Sequence, residues 1–280
     1  MIDLHCHSCF SDGTDTPEEL VAQAIQSGVK GLALTDHDTV AGVPRFAEAA
    51  APHGITAVAG VEISTAFRHG DLHMLGYFVD HQDSQLAEKL EWIRSGRRAR
   101  NDEIFHKLHQ LGMPLTWPEI AGHTEDRVIG RPHFAQAMVA RGYVHNTKEA
   151  FTRYLARGGS AYAARRTLAA EDALAIICDA GGVPVLAHPV TLPFTRRELR
   201  DALIELKRMG LAGLEVYYPQ HNPEHTRFYA QLARELDLIP TGGSDYHGTR
   251  TPDLQLGRGF GTLKVPANTI DRLSCWLPIP

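Results

Sequence analysis

Short apolar runs and helix-length amphipathic stretches take turns along most of this 280-residue chain, and that alternation restricts the fold more than any other feature. Ile2 to His5, Gly31 to Thr35, Ile55 to Ile63 and His73 to Val79 read as strands. The series resumes with Val183 to Ala187, Gly213 to Tyr217 and Leu238 to Gly242. Helical patterns separate most of them, near 17–28, 41–51, 195–209 and 223–236. The first helix has its start and stop written in the sequence. Thr16, Pro17 and Glu19 make a capping box with proline at the first helical position, and Gly28 is placed to end it. Repeated strand–helix units imply a mainly parallel sheet. About seven strands predict an α/β chain folded as an irregular βα barrel, with a doubly wound open sheet as the alternative. In either architecture the chemistry belongs at the carboxyl ends of the strands.

Residues 83 to about 181 break the rhythm and read as mostly helical. We expect 95–165 to form a helical insertion capping an active site, and 1–94 with 166–280 to form the barrel domain. The composition is that of an ordinary globular chain, with 43% hydrophobic and 22% charged residues. A net charge of −5 gives none of the basic excess of a broad duplex-DNA binder. No run approaches the ~18 apolar residues of a membrane span, and MIDLHCHSCFSDG lacks the pattern of a secretory leader. Four cysteines are too sparse for a disulfide scaffold. These readings together predict a cytoplasmic protein. Nothing in the sequence specifies an oligomeric state.

Histidine is the unusual count, at 16, and imidazole is the commonest metal ligand. The positions are more telling than the number. His5 and His7 end the first strand as H-x-H, where residues i and i+2 share a face. Asp12 follows in the next loop, His37 follows the second strand and Glu62 ends the third. His73 opens the fourth, His188 follows VPVLA, and Asp245 and His247 follow the last strand as D-x-H. A single histidine at a strand end is ordinarily a hydrogen-bonded surface or core residue. Six imidazoles and three carboxylates at one end of successive strands point to metal. That mixture suits Zn, Mn, Fe or Co better than Mg or Ca, which prefer oxygen shells. Nine ligands exceed what a structural zinc needs and could supply two or three ions. A cluster of such ions stays positive against three carboxylates and attracts phosphate. The expected reaction is attack of a metal-bridging hydroxide on phosphorus.

The segments DLHCHSCFSDG, LALTDHDTVAG, GVEIS, LAHP and GGSDYHG, with His73, resemble the polymerase and histidinol phosphatase (PHP) family of amidohydrolase-like barrels. The resemblance implies a distorted (β/α)7 barrel with two or three divalent ions, manganese foremost. It implies one ion on His5, His7, Glu62 and Asp245. Glu62 would bridge to a second, held also by His73 and His188. Asp12, His37 and His247 would hold a third. IGRPHFA and EVYYPQHN resemble a group of stand-alone enzymes, nucleoside 3′,5′-bisphosphate phosphatases and 5′-to-3′ exoribonucleases of short RNA. This implies removal of the 3′-phosphate from a nucleoside 3′,5′-bisphosphate. The residues alone reach only a phosphate ester. The competing readings are a phosphodiesterase on short RNA, a histidinol-phosphate phosphatase, and a non-catalytic metal-binding module.

Substrate contacts are expected from Arg131 and His133, beside a helix beginning at Pro132, where an anion is favoured. His221, after a strand end, is expected to donate to phosphate or protonate the leaving group, and Asp245 is counted with it as catalytic. Ser64 and Arg68 follow Glu62 and are further candidates. Asp36 and Asp38 are read as supports for an imidazole. Arg97, Arg98, Arg100, Arg165 and Arg166 are read as a solvated face, with one or two lining the insertion. Cys6 and Cys9 form C-x-x-C, but Cys6 alternates with the two histidines and is expected in the core. Tyr217, Tyr218 and Trp117 are read as packing residues, one of which could stack on a base.

Overall fold

A computed structural model describes residues 1–68, 70–121 and 129–277. The strands are β1 Ile2–Cys6, β2 Gly31–Leu34, β3 Thr56–Phe67, β4 Gly70–Tyr77, β5 Leu168–Ala169, β6 Val183–Leu186, β7 Gly213–Tyr217 and β8 Ile239–Gly242. The helices are α1 Pro17–Ser27, α2 Val43–Ala50, α3 Ser84–Gln110, α4 Trp117–Ala121, α5 Arg131–Ala140, α6 Thr147–Ala150, α7 Ala170–Asp179, α8 Arg196–Arg208, α9 Pro223–Glu235 and α10 Thr269–Ser274. No helix among the described residues is long and apolar enough to cross a membrane.

The chain divides into two compact units, 1–90 with 168–280, and 91–167. In the first, the sheet order is β1-β2-β3-β4-β6-β7-β8, with β5 paired to β3. Most neighbours are parallel, as the strand–helix rhythm implies, but β4 runs antiparallel to both β3 and β6. The sheet therefore departs from seven repeated strand–helix units. Parallel neighbours need a crossover of roughly a dozen residues or more; β3 and β4 are joined by a short hairpin. β3 is long because its two halves do different work. Gly31–Leu34 of β2 pair with its first residues in parallel, and Gly60–Phe67 pair with β4.

The sheet curls until the segment leaving β8 reaches β1. Asp245 N–H donates to His5 O at 2.8 Å, and His7 N–H donates to Tyr246 O at 2.9 Å. Gly243 makes this approach possible, because a Cβ there would stand 2.3 Å from the His5 nitrogen. Leu4, Ala33, Val58, Leu75, Val185 and Ala187 share one core within the strands. Leu20, Ala24, Leu32, Leu34 and Phe46 share another, laid down by α1 and α2. Cys6 is buried in that second core, and its thiol donates to Ala33 O. α1 begins with the capping box of Thr16 and Glu19 and ends at Gly28 in the left-handed conformation.

The second unit has its own core of Ile104, Leu108, Leu115, Phe134, Met138 and Leu155. Trp117 stacks on Phe105 at 5.0 Å and meets Phe134 edge-on, so packing accounts for it.

Candidate metal centre

The carboxyl ends of β1, β2, β6 and β8, with the middles of β3 and β4, bring the nine expected ligands to one place. β4 contributes from within: His73, expected to open its strand, is the fourth of the eight residues Gly70–Tyr77, because the hairpin with β3 extends the strand further back. Glu62 is the hub. It is 1% exposed, within β3 rather than at its end, and its two oxygens face different imidazoles. Oε1 lies 2.8 Å from His73 Nδ1 and 2.9 Å from His188 Nε2. Oε2 lies 2.9 Å from His37 Nδ1, 3.2 Å from His7 Nε2 and 3.4 Å from His5 Nε2. Asp245 Oδ1 stands 3.3 Å from His5 Nε2 and 3.2 Å from His7 Nε2. Asp12 Oδ1 is 3.2 Å from His247 Nε2, and Asp12 Oδ2 is 3.8 Å from His37 Nε2.

Three groups of donor atoms each lie within 4.8 Å of one another. They are His5, His7, Glu62 and Asp245; His7, Asp12, His37 and His247; and His37, Glu62 and His73. His188 joins the last through Glu62.

These residues fit bound cations. His5 Nε2, both nitrogens of His7, Asp12 Oδ1 and Glu62 Oε2 are buried without a hydrogen-bond partner. Buried polar atoms ordinarily have one. Two ligand atoms each about 2.1 Å from an ion stand about 3.0–3.4 Å apart, close to many of the separations above. Five imidazoles around one carboxylate cannot all hold the bridging proton without repelling each other. A cation between the nitrogen lone pairs and the oxygens satisfies them together.

The electrostatics agree. Burial works to raise the pKa of Glu62, but His37, His73 and His5 outweigh it and hold the carboxyl well below its usual range. Asp245 is likewise held low against burial by His5 and His247, and Asp12 by His247 and His37. These carboxylates are anionic and available to a cation.

Hydrogen bonds behind the ligands set the imidazole tautomers. His5 Nδ1 donates to Glu215 Oε1 at 3.0 Å. His247 Nδ1 donates to Asp245 O at 2.8 Å. The Thr191 hydroxyl donates to His188 O, so it accepts from His188 Nδ1 at 3.0 Å. In all three the proton is fixed on Nδ1, leaving the Nε2 lone pair toward the carboxylates. Glu215, fully buried, also accepts from His188 N–H at 2.6 Å. His188 and Asp245 hold left-handed backbones, φ 24° and 53°, a strain that surrounding contacts must maintain.

Asp36 and Asp38 secure backbone segments around the ligands. Asp36 accepts from Ser8 N–H, Ser8 Oγ and Ser11 Oγ, securing the loop that carries Asp12. Asp38 accepts from Ser64 N–H at 2.9 Å. Asp3 accepts from Ser244 and Gly257 N–H groups. Tyr218 donates to Asp245 Oδ2 at 2.9 Å, leaving Oδ1 for the histidines. Glu215, Asp3, Thr191 and Tyr218 are the contributors that motif reading missed. Only Glu215 carried a signal, as an acid inside the apolar strand GLEVY.

Among the expected substrate residues, Ser64 is buried and pairs in register with His73. Arg68 is engaged elsewhere: Nη2 meets Glu205 Oε2 at 2.7 Å and the guanidinium lies over the Phe67 ring. His221 Nδ1 donates to Val216 O at 2.8 Å, its ring 5.2 Å from that of Tyr218. Burial pushes its pKa down. A neutral ring with Nδ1–H engaged has an acceptor at Nε2, which suits holding a hydroxyl better than protonating a leaving group. Arg131 and His133 lie in the second unit, at the start of α5. His133 Nδ1 accepts from Gly130 N–H at 3.0 Å, and Arg131 Nη1 reaches Leu155 O at 3.5 Å. The arginines expected on a solvated face are not all exposed: Arg100 is buried.

Residues 3–111 match the profile described as the PHP domain. A 5′-3′ exoribonuclease of Haemophilus influenzae is 36% identical over 88% of this chain and 89% of its own. The chain belongs to the PHP family. A second relative, the 3′,5′-nucleoside bisphosphate phosphatase of Chromobacterium violaceum, is 34% identical over 88% of this chain and 87% of its own. Among solved structures, a protein of Bifidobacterium adolescentis described as a metal-dependent phosphoesterase superposes with a TM-score of 0.87. It is 33% identical, covering 99% of this chain and 96% of its own.

Proposed function

We propose that this chain is a metal-dependent phosphatase that removes the 3′-phosphate of a nucleoside 3′,5′-bisphosphate, leaving a nucleoside 5′-monophosphate and phosphate. The convergence of five imidazoles on the two oxygens of Glu62 carries the phosphoester part of this reading. The Chromobacterium relative supports the choice of substrate. The three donor groups are read as three ion sites, with manganese the favoured occupant. Bound ions would polarise a phosphoryl oxygen and lower the pKa of an attacking water. The chain's own residues position and neutralise. Glu62, Asp245 and Asp12 balance the charge of the cations. Tyr218 holds Asp245 so that one oxygen faces His5 and His7. Ser64 and the Nε2 acceptor of His221 are assigned to substrate hydroxyl or phosphate groups, and Arg131 and His133 to phosphate. Arg68 is the weakest of the expected contacts, because Glu205 engages it.

The Haemophilus relative favours a second reading, stepwise hydrolysis of short RNA from its 5′ end. The two separate in one assay: manganese-loaded protein is given adenosine 3′,5′-bisphosphate or a 5′-phosphorylated RNA oligomer. Free phosphate from the bisphosphate is expected, and Asp245→Asn should lower kcat/KM by about a hundredfold or more. Mononucleotides from RNA, with no phosphate from the bisphosphate, would overturn the first reading in favour of the second.

A further inference from the structure

Two ligands of the His7, Asp12, His37 and His247 group stand on loops. Asp12 lies between β1 and α1, and His247 follows β8. The other groups are anchored differently. Glu62 and His73 lie within β3 and β4, and Asp245 is fixed by its N–H on His5 O and by the Tyr218 hydroxyl.

A separate set of contacts clasps the two loops together. In the turn Asp245–Tyr246–His247, two ligands flank a tyrosine that packs against the core of α1 and α2. Its hydroxyl donates to Asp15 Oδ2 at 3.0 Å. Burial, then this hydrogen bond, push the phenol pKa up to about 12, so it remains a donor. The Gln23 amide on α1 donates to the same oxygen at 2.5 Å. Asp15 Oδ1 accepts from the Thr14 hydroxyl at 2.8 Å. Thr14 carries the contact across to the other loop: Oγ1 accepts from Thr249 N–H at 2.9 Å, and its N–H donates to His247 O at 3.2 Å. The approach is close. A Cβ on Gly248 would stand 1.8 Å from Thr14 Oγ1, and Gly248 holds φ 70°. The Asp15 carbonyl accepts from Cys9 N–H at 2.8 Å, closing the loop that bears Asp12.

A charged acceptor shared by three side-chain donors is a stronger tie than neutral contacts. It joins the Asp12 loop to α1 through Gln23 and to the ligand turn through Tyr246 and Thr14. Asp12 Oδ1 and His247 Nε2 are thereby held 3.2 Å apart. Without the tie, an ion between them would have to order both loops on binding, which lowers affinity. We propose that Asp15 is a positioning residue for one ion: its clasp on Tyr246, Gln23 and Thr14 sets the affinity of the His7, Asp12, His37 and His247 group and not that of the other two. This rests on the three-ion reading above.

The test dialyses the metal-stripped full chain against a manganese series and counts bound metal per chain by elemental analysis. It compares the unmodified protein with Asp15→Asn, Tyr246→Phe and Thr195→Ala. The unmodified protein should take up three ions. Asp15→Asn should weaken one of them by about 10–100-fold, the range for groups that orient ligands, and leave two unchanged. Tyr246→Phe keeps the packed ring and should weaken the same ion by about tenfold, as for a lost hydrogen bond to a charged group. Thr195→Ala removes the cap of α8, costs stability alone and should keep all three, which separates positioning from stability. Unchanged uptake by Asp15→Asn would overturn the proposal. So would equal weakening of all three ions, which would mean that Asp15 supports the fold as a whole. If Asp15→Asn does not fold, Tyr246→Phe is read by the same two criteria. Fewer than three ions on the unmodified protein would overturn the three-ion reading and the proposal with it, whereas a failure confined to the variants leaves that reading standing.

Discussion

Glu215 uses both carboxylate oxygens, one on His5 Nδ1 and one on the backbone N–H of His188. Glutamine in its place has one acceptor and one donor. Either the His5 tautomer or the strained turn at His188 then loses its hold. Glu215→Gln should reduce manganese affinity by about 10–100-fold, the range for such supporting partners. Calorimetric titration would measure it, and an unchanged affinity would remove Glu215 from the ligand scaffold. This residue also marks where sequence reading stops. His5, His7, His37 and Asp245 are legible because imidazoles and carboxylates recur at the ends of apolar runs. Glu215 sits inside one such run, and nothing local says that its two oxygens reach residues 210 and 27 positions away. Arg100 was hidden for the opposite reason. It lies among Arg97, Arg98 and several acids, a pattern normally typical of solvated helix, and burial by distant elements is not encoded in it.

Among the elements, α1 was readable to its caps, because Thr16, Pro17, Glu19 and Gly28 are local signals for local geometry. α8 uses the same device: Thr195 accepts from Glu198 N–H, and Glu198 accepts from the Thr195 backbone. Thr195→Ala should lower unfolding free energy by about 1 kcal/mol and leave phosphatase activity unchanged, measured by denaturant unfolding and steady-state assay. A loss of activity with normal stability would place α8 in the site. The reversed direction of β4 was not read, although the signal existed. Ile63 and His73 are too close in sequence for a crossover helix, so the strands bearing them must pair antiparallel. That pairing sets His73 beside Ser64, two residues along β3 from Glu62, among ligands supplied from the ends of other strands.

At the scale of the whole molecule, the cluster is a place where folding and ion binding are one equilibrium. Buried imidazoles and carboxylates lacking partners weaken the metal-free fold, and a ligand that binds only the native state stabilises it by mass action. Chelation should therefore lower Tm, and manganese should restore it by about 4 kcal/mol of stability at a thousandfold excess over its Kd. Scanning calorimetry across a manganese series checks this; a Tm indifferent to metal would mean that the native state has no preferential affinity for it.

The sheet's closure at Asp3 has a bearing on synthesis. One carboxylate near the first residue ties down the N–H groups of Ser244 and Gly257, 241 and 254 positions later. A ribosome that has released residues 1–182 has already delivered six of the nine donors. It has delivered neither the strand that sets His188 nor the turn that sets Asp245. The emerging chain thus displays histidines and acids without the frame that gathers them. The Asp3 hydrogen bonds and the meeting of Asp245 with His5 and His7 both wait until the last strand docks against the first.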